Sequence, residues 1–173
     1  KMAPENRKNA TLSKMKNPSM DSYDAFKKMF EKFTKQANKK QYLIPYFIAA
    51  HPGCTDEDML NLSLWLKNND FRVDQVQTFY PSPMALATAM YHSGRNPLKK
   101  LKYKRGEKVY IAKDLDQRRL QKSFLRYHDE KNWPYLRGSL RKMNRVELIG
   151  DGPNQLIPAD SNTRGRPTSK RRK

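Results

Sequence analysis

The sequence predicts an α/β chain: an incomplete (β/α) partial barrel with parallel strands, then a small mixed α/β carboxyl-terminal extension and a disordered basic tail. Three observations predict it. Helix-like and strand-like segments alternate from Tyr23 to Gly94 at the spacing of βαβ units. At 173 residues the chain falls well short of the roughly 250 of a closed (β/α)8 barrel. The composition turns basic near Asn96-Pro97 and wholly polar after Ala159. The expected division is therefore 1–95, 96–158 and 159–173.

Each element has its own reason. Residues 1–22 are polar and turn-rich, with Pro4 and Pro18, and Ser19 to Asp21 can start a helix. From Tyr23 to Gln36, Phe26, Met29, Phe30 and Phe33 recur at helical spacing among lysines. The apolar run Tyr42 to Ala49 has the length of a strand covered on both faces, although Pro45 removes one ladder donor. Thr55 and Asp58 form a capping box for a helix to about Lys67 that is apolar around much of its circumference and stops at Asn68-Asn69. Phe71 to Phe79 reads as a second strand, and Tyr80-Pro81-Ser82-Pro83 forces an extended loop before a short helix ending at Gly94. Residues 99–113 predict a basic hairpin around Gly106. Asp114, with Gln117 at the box position, starts a helix to about Tyr127, and Asn132 starts another through Met143. Leu148 to Ile157 is expected to make short strands around Asp151-Gly152.

Hydrophobic content of 36% and a mean hydropathy of −1.01 leave a modest core. A net charge of +19 attracts polyanions, so a nucleic-acid-binding module is the rival functional class, with Tyr103 and the cations of 99–108 as its stacking and phosphate contacts. The charge equally fits acidic protein partners, and a catalytically inert protein-contact module is a third reading. One cysteine excludes an internal disulfide and a multi-cysteine metal site within this chain, and it fits a reducing, cytoplasmic setting. No run reaches the roughly 18 apolar residues of a membrane span. An opening Lys1-Met2 predicts a chain that has been trimmed, cut from something longer, or has lost its start.

The stretch FIAAHPGCTDED, residues 47–58, is a strand-to-helix corner, and such corners line ligand sites at the carboxyl ends of parallel strands. Asp56, Glu57 and Asp58 already occupy the positive end of the helix that follows, which disfavours a phosphate and leaves room for a hydroxyl-rich or cationic ligand. His51 is either a ligand contact or a half-buried imidazole bonded to a neighbouring carbonyl. Cys54, beside acids, is expected to be an ordinary loop cysteine.

The stretches KMAPEN (1–6), LSKMKNPSMDSYDAFKKMF (12–30), QYLIPYFIAAHPGCTDEDM (41–59) and DQVQTFYPSPMALATAMY (74–91) closely resemble the carboxyl-terminal portion of the YgiQ family of radical SAM proteins. QRRLQKSFLRYHDEKNWP and LIGDGPNQLIP resemble that family's extra carboxyl-terminal domain. The resemblance implies a partial (β/α)6 barrel whose CxxxCxxC cysteines hold a [4Fe–4S] cluster that binds S-adenosylmethionine in the full-length parent. This chain has no such motif, so the resemblance implies that the amino-terminal half supplies it, that the chain alone retains neither group, and that it is inactive alone. By the same resemblance Glu5 lies near the cofactor's nucleoside and methionine moieties, where relatives continue with His rather than Asn6. Ile48, Ala50, His51, Pro52 and Gly53 line its adenine side. Tyr80 and Ser82 stand on the substrate-side loop.

Overall fold

The computed structural model describes residues 2–73, 75–99 and 106–160. Lys1–Arg126 is one compact unit, and the chain from Tyr127 onward is a second. The first unit holds a parallel sheet of β1 (Met2–Glu5), β2 (Pro45–Ala49) and β3 (Val76–Thr78), in that spatial order. Between β1 and β2 run α1 (Asn9–Met15) and α2 (Met20–Gln36), and between β2 and β3 runs α3 (Asp56–Asn68). After β3 come α4 (Leu86–Ser93) and α5 (Leu115–Leu125). Gly94 ends α4 at a φ of +64°, the left-handed cap that glycine adopts without a Cβ clash.

The sheet has two unlike faces. Phe47 and Ala49 are fully buried, and the Phe47 ring meets Trp65 of α3 edge-on at 6.4 Å. Val76 and Thr78, their register partners, share that face. On the opposite face Tyr46 and Ile48 are half-buried, and Gln77, the partner of Ile48, is exposed. The sequence predicted a strand covered on both faces; within the described chain β2 is fully buried only on the α3 side, where Val76 and Thr78 of β3 are half-buried.

The helices repeat this contrast. α3 buries Met59, Leu60, Leu62, Ser63 and Leu66, as its apolar circumference predicted. Its capping box is formed: the Asp58 amide donates to Thr55 Oγ1 at 3.2 Å, and the Thr55 amide donates to Asp58 Oδ2 at 3.0 Å. A cap of this kind is worth about 1 kcal/mol. α2 is as amphipathic as its spacing predicted, yet it buries only Met20 and Tyr23, which join Leu12 of α1 in a small cluster with Met15, Leu43 and Trp65 beside it. Phe26, Met29 and Phe33 are exposed, as are Tyr42 and Ile44 just before β2.

Several expectations are corrected. The polar amino end contains a strand and a helix. β2 begins at Pro45, not Tyr42, because a proline without N–H fits the first position of a strand. The second strand is only Val76–Thr78 within the expected Phe71 to Phe79, since its register with β2 ends there. Leu148 to Ile157 forms no strands: Val146–Leu148 is a 3-10 turn, and one parallel bridge joins Ile149 to Ile157. Asp114 and Asn132 stand at the N-caps of α5 and α6 (Trp133–Lys142) without a side-chain cap bond. Of the basic hairpin, an antiparallel bridge joins Arg95 to Lys108, while residues 100–105 of its tip and 161–173 of the tail lie outside the described residues.

The second unit is built on α6. Leu136 and Leu140 are fully buried with Ile157, and Leu148 and Leu156 complete the apolar set. Arg137 donates to the Pro158 carbonyl at 3.1 Å, and the Trp133 indole donates to the Tyr127 carbonyl at 2.9 Å.

Candidate functional site

The carboxyl ends of the strands converge on the corner after β2. Two non-glycine residues there hold left-handed backbone, Glu5 at φ +56° and Ala50 at φ +58°. Such residues persist only where their surroundings over-determine them, and they gather at binding sites. Gly53, at φ +88°, completes the turn; a Cβ there would lie 2.6 Å from the Lys14 side chain.

The corner is pinned from several sides. Asn6 is buried after β1; its Oδ1 accepts from the Arg7 and Lys8 amides, and its Nδ2 donates to Cys54 Sγ at 3.4 Å. Thr11 of α1 donates to the Gly53 carbonyl at 3.2 Å. The Gly53 amide donates to the Tyr110 carbonyl at 2.8 Å, and the Cys54 amide donates to the His51 carbonyl at 3.0 Å. From α5, Gln121 accepts from the Ala50 amide at 3.0 Å and donates to the Cys54 carbonyl at 3.2 Å and to Asp56 Oδ1 at 2.7 Å. Gln117 donates to Asp56 Oδ2 at 3.2 Å and also bonds the Tyr110 hydroxyl. Arg118 donates to the Phe79 carbonyl just beyond β3.

This arrangement sets the chemistry of each group. His51 is buried, its Nδ1–H donates to the Pro52 carbonyl at 2.9 Å, and its ring meets Phe79 edge-on at 5.3 Å. Burial lowers its pKa against the smaller opposing effect of that bond, so the imidazole is neutral near pH 7. Cys54 is fully buried, and desolvation pushes its pKa up to about 12, so its thiol is protonated and not nucleophilic. Burial alone would raise the Asp58 carboxyl, but the bonds from Lys8, at 2.7 Å, and Thr55 outweigh it and hold it below the ordinary value. Of the acids at this helix end, Asp58 is charge-paired by Lys8, while Asp56 keeps its charge and accepts hydrogen bonds from the two glutamines.

The predicted residues therefore separate into two groups. Ala50, His51, Pro52 and Gly53 are packed together inside the corner. Ile48 stands half-buried on the open sheet face, and Glu5 is half-buried at the end of β1, where Asn17 donates to its carboxylate at 2.7 Å. Tyr80 is 81% exposed, and Ser82 is exposed with its carbonyl accepting from Thr88. Sequence reasoning did not assign Tyr110, Arg118 or Gln121 to the corner, placing Tyr110 on the hairpin's apolar arm and Arg118 in the basic patch, and it took Gln117 for a cap. The available signal was Gln117 and Gln121 at i and i+4 on the same helix face as buried Phe124 and Leu125.

The donor set does not fit an iron–sulfur cluster: the chain has one cysteine, buried and protonated, and among the described residues no group of three His, Cys, Asp or Glu is placed to hold a metal. What these residues do offer is an apolar side chain, Ile48, on the less covered sheet face and a carboxylate, Glu5, at the end of β1. The turn amides of Ala50, Gly53 and Cys54 are already bonded within the chain. Among the described residues no helix is long and apolar enough to cross a membrane.

Comparison with known proteins gives a consistent set of relatives. A UPF0313 protein of Pseudomonas syringae pv. tomato is 65% identical over 158 residues, 91% of this chain and 20% of that protein. One from Pseudomonas aeruginosa is 61% identical over all 173 residues, 23% of its length, and one from Rhodopseudomonas palustris is 60% identical over 159 residues, 24% of its length. The chain thus spans about a fifth to a quarter of the curated relatives it matches. No solved structure matches it. Residues 74–173 match a family model described as a domain of unknown function, DUF3362. UPF0313 being the YgiQ-type family, the chain belongs by this match to the DUF3362 family, and its relatives are UPF0313 proteins.

Proposed function

We propose that this chain is the carboxyl-terminal portion of a radical SAM enzyme, and that it supplies one wall of the S-adenosylmethionine site. The observation that carries the reading is the half-open face of the sheet. A parallel sheet is normally covered on both faces, yet Tyr46, Ile48 and Gln77 look onto a side that the described chain does not fully fill. The greater length of the relatives leaves ample chain to complete a barrel there.

In the whole protein the cluster, held by cysteines outside this chain, and S-adenosylmethionine would supply radical hydrogen-abstraction chemistry. This chain's residues act on binding and orientation. Ile48 excludes water from the adenine, Glu5 accepts hydrogen bonds from the cofactor's polar end, and the exposed Tyr80 and Ser82 face the substrate. The test is equilibrium dialysis of S-adenosylmethionine against the whole protein, reconstituted anaerobically. The expected result is one saturable site whose Kd rises about tenfold in Glu5→Gln, equivalent to about 1.4 kcal/mol. A whole protein that binds no S-adenosylmethionine overturns the reading.

A further inference from the structure

Gln121 is fully buried on α5, and both ends of its amide are used. Its Oε1 accepts from the amide of Ala50, and its Nε2 hydrogens go to the Cys54 carbonyl and to Asp56 Oδ1. One side chain therefore fixes the left-handed residue at the exit of β2, the end of the turn, and the first residue of α3. It acts from within the segment matched by the domain of unknown function, whereas the corner it holds precedes that segment.

We propose that the Tyr110 to Gln121 segment is a brace for the cofactor corner and that Gln121 is its positioning residue. This rests on the reading of the corner as a cofactor wall. A buried amide with both hydrogens donated and its oxygen accepting fixes geometry because each alternative leaves a polar group unpaired in an apolar setting. Gln117 and Arg118 act in the same sense, tying the Asp56 carboxylate and the Phe79 carbonyl to the same helix. The role assigned to this part of the domain is to hold in place, from outside the sheet, the backbone against which the cofactor rests.

Cys54 provides the readout, because it is the single cysteine of the chain and is fully buried in the braced turn. Its modification by a thiol reagent under native conditions follows local opening of the corner. In the 173-residue chain, Gln121→Met keeps the side-chain length but makes none of the bonds, and Gln121→Glu sets a carboxylate against Asp56. Both are expected to speed modification at least about tenfold, beyond what their shift in denaturation midpoint accounts for. The pair Asp56→Asn with Gln121→Glu restores a donor to that contact, though not to the Cys54 carbonyl, and is expected to slow modification at least about threefold relative to Gln121→Glu alone. Unchanged rates in the single variants, or a pair no slower than Gln121→Glu alone, overturn the brace. Should the variants fail to fold, hydrogen exchange in the unmodified chain decides: the Ala50 amide is expected to exchange as slowly as the β2 core, and exchange at an open turn's rate overturns the proposal.

In the whole protein the same variants are titrated with S-adenosylmethionine. Affinity about tenfold weaker in Gln121→Glu and at least about threefold stronger in the pair than in that variant ties the brace to the cofactor. Affinity indifferent to Gln121, in a protein that does bind, breaks that tie. An unmodified protein that does not bind refutes the functional reading above, and the Cys54 rates still decide the brace.

Discussion

Replacing Met29 and Phe33 with lysine is expected to turn a self-associating chain into a monomeric one. Both residues lie on the exposed apolar face of α2, at 52% and 59% exposure, beside Phe26 and with Tyr42 and Ile44 also exposed. On a neighbouring side of α2, a cavity of about 720 Å³ is lined by Phe30, Tyr42, Ile44 and Phe71, with Lys27 and Arg72 among its charges. An apolar surface of this kind drives association. The net charge of +19 opposes it by repulsion, which salt screens over a Debye length of about 8–10 Å near 0.1–0.15 M. Sedimentation velocity should therefore show association that grows with salt in the unmodified chain and vanishes in the double variant. A chain that stays monomeric at tens of micromolar in high salt would show that this face needs no cover.

Phe47→Ala should remove most of the stability of the first unit. Phe47 is fully buried in the central strand against Trp65, and truncating a buried phenylalanine costs about 3–5 kcal/mol. Whole domains have only about 5–15 kcal/mol, and this one has a small core. On the opposite face, Ile48→Ala should cost roughly 1–2 kcal/mol, since its side chain is only half-buried. Urea titrations followed by tryptophan fluorescence compare the two. Equal losses would mean that both faces are covered alike and would remove the argument for a missing wall.

How far the sequence revealed this arrangement depended on whether a pattern was local. The capping box of Thr55 and Asp58, the spacing of Phe26, Met29, Phe30 and Phe33, and the Gly94 stop each act within one helix, so α2, α3 and α4 were readable. β1 was not, being four residues with Pro4 inside, set in place by pairing with β2. α1 has no acid in its first turn and no side-chain cap bond; it is held by Leu12 packing against Met20 and Tyr23. The corner was located from its own residues, because an apolar run, Pro-Gly and a capped helix lie consecutively. Its brace was not, because Gln121 stands 71 positions from Ala50 and only the fold brings them together.

The most direct test of the central claim is the intact mass and amino-terminal sequence of the native protein in its source cells. The account predicts a mass well above 20.4 kDa with a CxxxCxxC segment upstream of the KMAPEN stretch. A native chain of 20.4 kDa beginning at Lys1 would contradict it.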